Sequence, residues 1–94
     1  MTLKVVISNS FKKDLKKYKH KNVVLNELEI VIELLSTQQP IPAKYKNHFL
    51  VGKFKGHTNV QELHLRPDDL LVYFEIKNES INLIAIGSHA ELFG

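Results

Sequence analysis

Cysteine is missing from all 94 residues, which removes disulfides, thiolate metal sites and a catalytic thiol together. That absence suits a reducing compartment, and the expected location is the cytoplasm. No apolar run approaches the ~20 residues of a membrane-spanning helix, so no membrane attachment is expected. The apolar start Leu3-Lys4-Val5-Val6-Ile7 is too short for a secretory signal and meets Ser8-Asn9-Ser10 at once. Internal repeats and low-complexity stretches are lacking too, and the expectation is a single domain over residues 1–94 with one core. Hydrophobic residues make up 44% and charged residues 24%, a balance that argues against intrinsic disorder.

Several stretches lack charge of one sign. Residues 1–21 hold seven lysines against the single acid Asp14, while residues 22–43 hold Glu27, Glu29 and Glu33 with no base. Lys44, Lys46, Lys53, Lys55 and Arg66 then outweigh Glu62, before the last third turns acidic again. Basic blocks beside histidines favour an acidic partner, of which RNA is the commonest soluble example. The first lysine block by itself reads as a solvated helix face.

The apolar pattern predicts an α+β fold: a strand, two helices, then a twisted antiparallel sheet of three to four strands. Leu3 to Ile7 is the first strand. Ser8, Asn9 and Ser10 offer N-caps to a helix whose Phe11, Leu15 and Tyr18 form one apolar stripe. After a break near His20–Asn22, the stripe Val24, Leu25, Leu28, Val31, Ile32, Leu35 marks a helix of about four turns, with Pro40 and Pro42 as its stop. From Phe49 the period becomes two. Phe49-Leu50-Val51 begins a short strand. In Val60–Leu65 the alternation puts Glu62 and His64 on one face, opposite Leu63 and Leu65. Pro67-Asp68-Asp69 is a turn signal, Leu70–Ile76 a strand, Lys77-Asn78-Glu79-Ser80 a hairpin turn and Ile81–Ile86 the last strand. Gly87-Ser88 caps a final turn carrying His89 and Phe93.

His48, His64 and His89 can exchange protons near neutral pH. Cleaving RNA through its own 2′-hydroxyl needs a base for that proton, an acid for the departing 5′-oxygen, and cations around the phosphorane. Asp68, a turn beyond His64, is placed to orient an imidazole. Lys53, Lys55 and Arg66 are candidate phosphate partners, with Lys44 and Lys46 as further RNA contacts. The plainer readings stand beside these: single strand-end histidines are usually ordinary surface residues, as assigned to His20 and His57. Three histidines could instead hold zinc, but the short paired spacings of zinc sites are lacking, so no metal and no cofactor is expected. Asp69 is read as a turn residue, and Phe93 either packs or stacks on a base.

Three separated motifs resemble the YafQ toxins of the RelE/ParE superfamily. They are Tyr45-Lys46-Asn47-His48-Phe49-Leu50-Val51-Gly52-Lys53-Phe54-Lys55-Gly56, His64-Leu65-Arg66-Pro67-Asp68 with Leu71-Val72-Tyr73, and Gly87-Ser88-His89-Ala90-Glu91-Leu92-Phe93-Gly94. The resemblance implies a ribosome-dependent mRNA endonuclease, the toxin of a bacterial type II toxin–antitoxin pair, acting in the A site of the 70S ribosome. It implies products ending in a 2′,3′-cyclic phosphate and a 5′-hydroxyl. A DinJ-like antitoxin would mask the basic face, and the complex would bind operator DNA. Carried over by position, His48, His64, Asp68 and His89 are the catalytic set, with Glu62 and Phe93 supporting. His89 is then the general acid, and His64 or His48 the base.

Two departures stand out. Ala85 lies where the resemblance would put an arginine for the scissile phosphate, with Arg66 or Lys55 as possible replacements. The loop from Gly56 to His64 is also longer than the family pattern. Two other readings follow: a ParE-like poison that binds gyrase without nuclease chemistry, and a weakened toxin acting mainly as an antitoxin-binding corepressor.

Overall fold

Ser8 begins the helical part: its Oγ accepts the Phe11 N–H at 3.0 Å, satisfying a donor that the first helical turn leaves free. The computed structural model describes residues 2–65 and 70–93, apart from the Phe93 side chain. Helix α1 (Asn9–Leu15) runs into a 3₁₀ turn at Lys16–Tyr18. The expected stripe holds, with Phe11 and Tyr18 buried and Leu15 half-buried. Helix α2 (Asn22–Ser36) buries Val24, Leu28, Val31 and Leu35, the spacing of one helical face.

The stop of α2 differs from the expectation. The helix ends before either proline, where Gln38 takes the left-handed conformation (φ 58°). The Gln38 N–H donates to the Leu35 carbonyl at 3.1 Å and the Gln39 N–H to the Leu34 carbonyl at 2.9 Å. This pair of bonds is a Schellman cap, which satisfies the last carbonyls and turns the chain without proline.

The antiparallel strands expected after the helices form, four of them, and the first strand joins them in parallel, so the sheet is mixed and five-stranded. Its strands are β1 (Lys4–Ile7), β2 (His48–Phe49), β3 (Val60–Leu65), β4 (Leu70–Lys77) and β5 (Ser80–Gly87), in the order β1-β5-β4-β3-β2. The extra member is β1, which pairs in parallel with β5 although some 75 residues separate them. Local pattern carries no sign of such a pairing. The β4–β5 hairpin turns through Asn78 and Glu79, both at positive φ (51° and 60°). Two such residues in succession match the right-handed twist of the strands they join.

One face of the sheet carries Leu63, Leu65, Leu70, Val72, Phe74, Ile81, Leu83 and Ile86 against α1 and α2. The other face carries Val60, Leu71, Tyr73, Ile84 and Ala85, packed by Leu50, Phe54 and Leu92. Along β5 the inward residues are 81 and 83 but then 86, because the register shifts where Tyr73 pairs with Ala85 and Phe74 with Leu83. The extra residue, Ile84, is a β-bulge. Ser8 secures it, donating its hydroxyl to the Ile84 carbonyl at 3.2 Å. A last short helix, α3 (His89–Phe93), follows β5 directly. No described helix is long and apolar enough to cross a membrane.

Candidate active site

The face away from α1 and α2 gathers the polar side chains. Strand register puts His48, Glu62, Tyr73 and Ala85 directly opposite one another in a single row across β2, β3, β4 and β5. His64 lies two residues from Glu62 on the same face. Glu62 is the hinge of the group. Its Oε1 stands 3.3 Å from Nε2 of His48 and 3.3 Å from Nε2 of His64, while its Oε2 accepts the Tyr73 hydroxyl. The expectation that His64 shares a face with Glu62 therefore holds, and β2 adds His48 to it.

Tyr73 is fully buried. Burial first, and then its bond to Glu62, push its phenol above the ordinary range, so it stays a neutral donor. His48 has its Nδ1 2.8 Å from the Lys46 carbonyl. That carbonyl is turned toward the ring by Lys46 itself, which is left-handed at φ 48°.

Residues 50–57 fold over this face. Gly52 and Gly56 at φ 86° and 85° provide turns that an L side chain would strain. Phe54 and His57 exchange backbone hydrogen bonds of 2.9 Å, and the Phe54 ring stacks on Tyr73 with centroids 4.4 Å apart. The loop is fastened from below by Glu75, 5% exposed, which accepts from His57 Nδ1 at 3.0 Å and from the Asn59 N–H at 3.3 Å. Burial alone would raise the Glu75 carboxyl, but the hydrogen bonds from His57 and Asn59 together hold it below its usual value. His57, read from sequence as an ordinary surface residue, is thus a loop anchor. Its partner sits on a strand 18 residues away, beyond any local signal.

Between the loop, β3–β4 and α3 lies a cavity of about 480 Å³ lined by His89, Lys53, Glu62, Tyr73, Phe54 and Leu50. His89 is exposed at the first position of α3. Glu62 is thus in direct contact with His48 and His64, and His89 and Glu62 line the same cavity. The cations divide differently. Lys53 lines the cavity, whereas Lys55 rests over the Phe54 ring (5.7 Å) and Lys44 over the Tyr45 ring (5.1 Å), its Nζ 4.0 Å from Glu27. Ala85 is fully buried at the end of the row. Arg66, Asp68 and the Phe93 side chain lie outside the described residues.

Sequence reasoning passed over Tyr73, Phe54 and Tyr18. Tyr73 was within reach, because a β3–β4 hairpin with alternating faces sets it opposite Glu62. Glu91 also had a signature, Ser88-x-x-Glu91, the pattern in which a capping serine and a glutamate satisfy each other's backbone.

The fold and the histidine–carboxylate cluster on the sheet face away from α1 and α2 mark the class: a small α+β protein carrying titratable side chains beside basic residues. The family of bacterial toxins of type II toxin–antitoxin systems, YafQ, matches residues 3–94. The mRNA interferase toxin YafQ of Escherichia coli K12 is 33% identical over 88 residues, covering 93% of this chain and 91% of the relative. A metal-bound toxin from Helicobacter pylori superposes with a TM-score of 0.83 at 39% identity, covering 97% of this chain and 99% of the other. The toxin of the E. coli DinJ–YafQ complex gives 0.80 at 28% identity over the full length of both chains. The chain belongs to the YafQ family of type II toxin–antitoxin toxins. Among its described residues no group of three or more His, Asp or Glu side chains is arranged to hold a metal ion.

Proposed function

We propose that the chain is a ribosome-dependent endoribonuclease that cuts mRNA in the ribosomal A site and so arrests translation in the cytoplasm. The observation that carries this reading is Glu62, one carboxylate oriented on both His48 and His64, with His89 and Lys53 on the adjoining cavity. In the proposed reaction the 2′-oxygen attacks phosphorus, its proton passes to the base, and the P–O5′ bond breaks. The 5′-oxygen leaves with a proton from the acid, giving a 2′,3′-cyclic phosphate and a 5′-hydroxyl. His89, the exposed ring on the cavity, is the general acid. His64 or His48 is the base, both steered by Glu62, with Asp68 given a supporting role by the family resemblance. Lys53 takes the place of the strand arginine that Ala85 lacks, stabilising the charge that builds on the phosphorane.

The partner is a DinJ-like antitoxin that covers this face, and the complex represses its own operon. Expression of His89→Ala or of His64→Ala should relieve growth arrest while both variants still fold. Primer extension on cellular mRNA should show codon-phased cuts for the parent chain and none for the variants. Two fully toxic single variants would refute the mechanism. DNA damage without cuts would instead favour a gyrase poison. Ala85 motivates one other reading, a weakened toxin that acts chiefly by binding its antitoxin. Tight antitoxin binding without any cleavage on purified translating ribosomes would favour it.

A further inference from the structure

A helix of five residues cannot hold itself together in water, since nucleation costs more than one turn of hydrogen bonds returns. Yet α3 carries His89. Its stability must come from contacts, and these converge on Glu91. The Ser88 N–H donates to Glu91 Oε1 at 2.9 Å, and the Glu91 N–H donates back to Ser88 Oγ at 3.1 Å. The same Oε1 accepts the hydroxyl of Tyr18 from the far end of the chain, and Lys17 Nζ lies 3.5 Å from Oε2. Leu92 closes the other side, so near Gly87 that a Cβ there would meet Leu92 Cγ at 3.3 Å.

We propose that Tyr18 and Glu91 form a clamp that positions the His89 imidazole, making both of them positioning residues for the cleavage reaction. Tyr18 is 6% exposed and belongs to the main core, so its hydroxyl is a fixed point. Glu91 transmits that point to the Ser88 backbone. His89 is thereby bracketed, one residue after a held N–H and two before the residue that holds it. The clamp keeps one protonation state across the working range. The Ser88 backbone bond first, and then the Tyr18 bond, hold the Glu91 carboxyl down at about 2. Burial first, and then Glu91, push the Tyr18 phenol up to about 12. The support of α3 therefore keeps its hydrogen bonds unchanged across that range.

The clamp rests on the reading of His89 as general acid, and its test separates the two. Tyr18→Phe, Glu91→Ala and Glu91→Gln would be made in the full chain. Single-turnover cleavage on programmed ribosomes would be measured across pH, alongside ribosome affinity and amide hydrogen exchange of residues 88–92. Tyr18→Phe and Glu91→Ala should slow cleavage roughly tenfold or more, as displaced catalytic groups do, with unchanged affinity and an altered alkaline limb of the pH profile, the limb on which a general acid loses its proton. Exchange in α3 should quicken while the sheet amides stay protected. Glu91→Gln, whose amide oxygen still accepts from Tyr18 and Ser88, should keep most of the rate. Unchanged rate and exchange in Tyr18→Phe and Glu91→Ala would overturn the clamp, as would a rate loss in Glu91→Gln equal to that in Glu91→Ala. If the parent chain does not cut RNA, the nuclease reading fails, and α3 exchange alone decides the clamp.

Discussion

The two faces of the sheet are built on opposite terms. Toward α1 and α2 lies a continuous cluster of apolar side chains in mutual contact, a surface that excludes water. The other face has a small apolar floor and, above it, a polar network linking His48, His64, Glu62 and Tyr73. It is roofed by a loop and a five-residue helix in place of long helices. The first face stabilises the fold, and the second holds its groups in a geometry that gives little back in stability. Proteins commonly concentrate such unfavourable polar arrangements where function lies.

Replacing one residue from each face should separate these roles. Phe74→Ala, on the helix-covered face, should cost about 3–5 kcal/mol, because it opens a cavity where the chain is closely packed. Urea denaturation would measure this, and a loss under 1 kcal/mol would mean that the face is not the main source of stability. Glu62→Ala, on the other face, should lower the cleavage rate on ribosomes by roughly 10²-fold through the loss of proton-transfer geometry. Its stability loss should be only about 1–3 kcal/mol, set by the buried Tyr73 hydroxyl left without its acceptor. A Glu62→Ala protein that cuts at the parent rate would break the comparison.

Smaller effects sharpen it. The Glu91 carboxyl stands at about 2 in the folded chain against an ordinary 4.5. A lowered folded value means that its contribution is complete above 4.5 and is lost as pH falls toward 2. The side chain is 36% exposed, so solvent screening keeps this contribution small. Thermal melts in that window should show a shallower acid slope for Glu91→Gln than for the parent chain, and identical slopes would contradict the assignment.

How much could be read in advance follows from the range of each signal. Alternation in Val60–Leu65 put Glu62 and His64 together, because side chains two apart on a strand must share a face. The stripes of α1 and α2 and the serine caps were equally legible, being set by neighbours within a turn. The end of α2 departs from the proline stop, since Gln38 takes a left-handed cap that its identity does not announce. Ala85 was noticed as a departure, but its place at the end of the row from His48 depends on strand register and on the Ile84 bulge. His57 looked idle for the same reason: its partner, Glu75, is brought beneath it only by the β3–β4 pairing.

Alone, the order of residues determined the helices, most of the strands, the basic setting and which histidines were worth following, all consequences of local stereochemistry and periodicity. Tertiary structure decided that β1 would close the sheet beside β5. It brought one carboxylate between two imidazoles from different strands and a tyrosine from the first helical segment under the last helix. Such contacts depend on how separate elements register and pack, and no spacing along the chain encodes that directly.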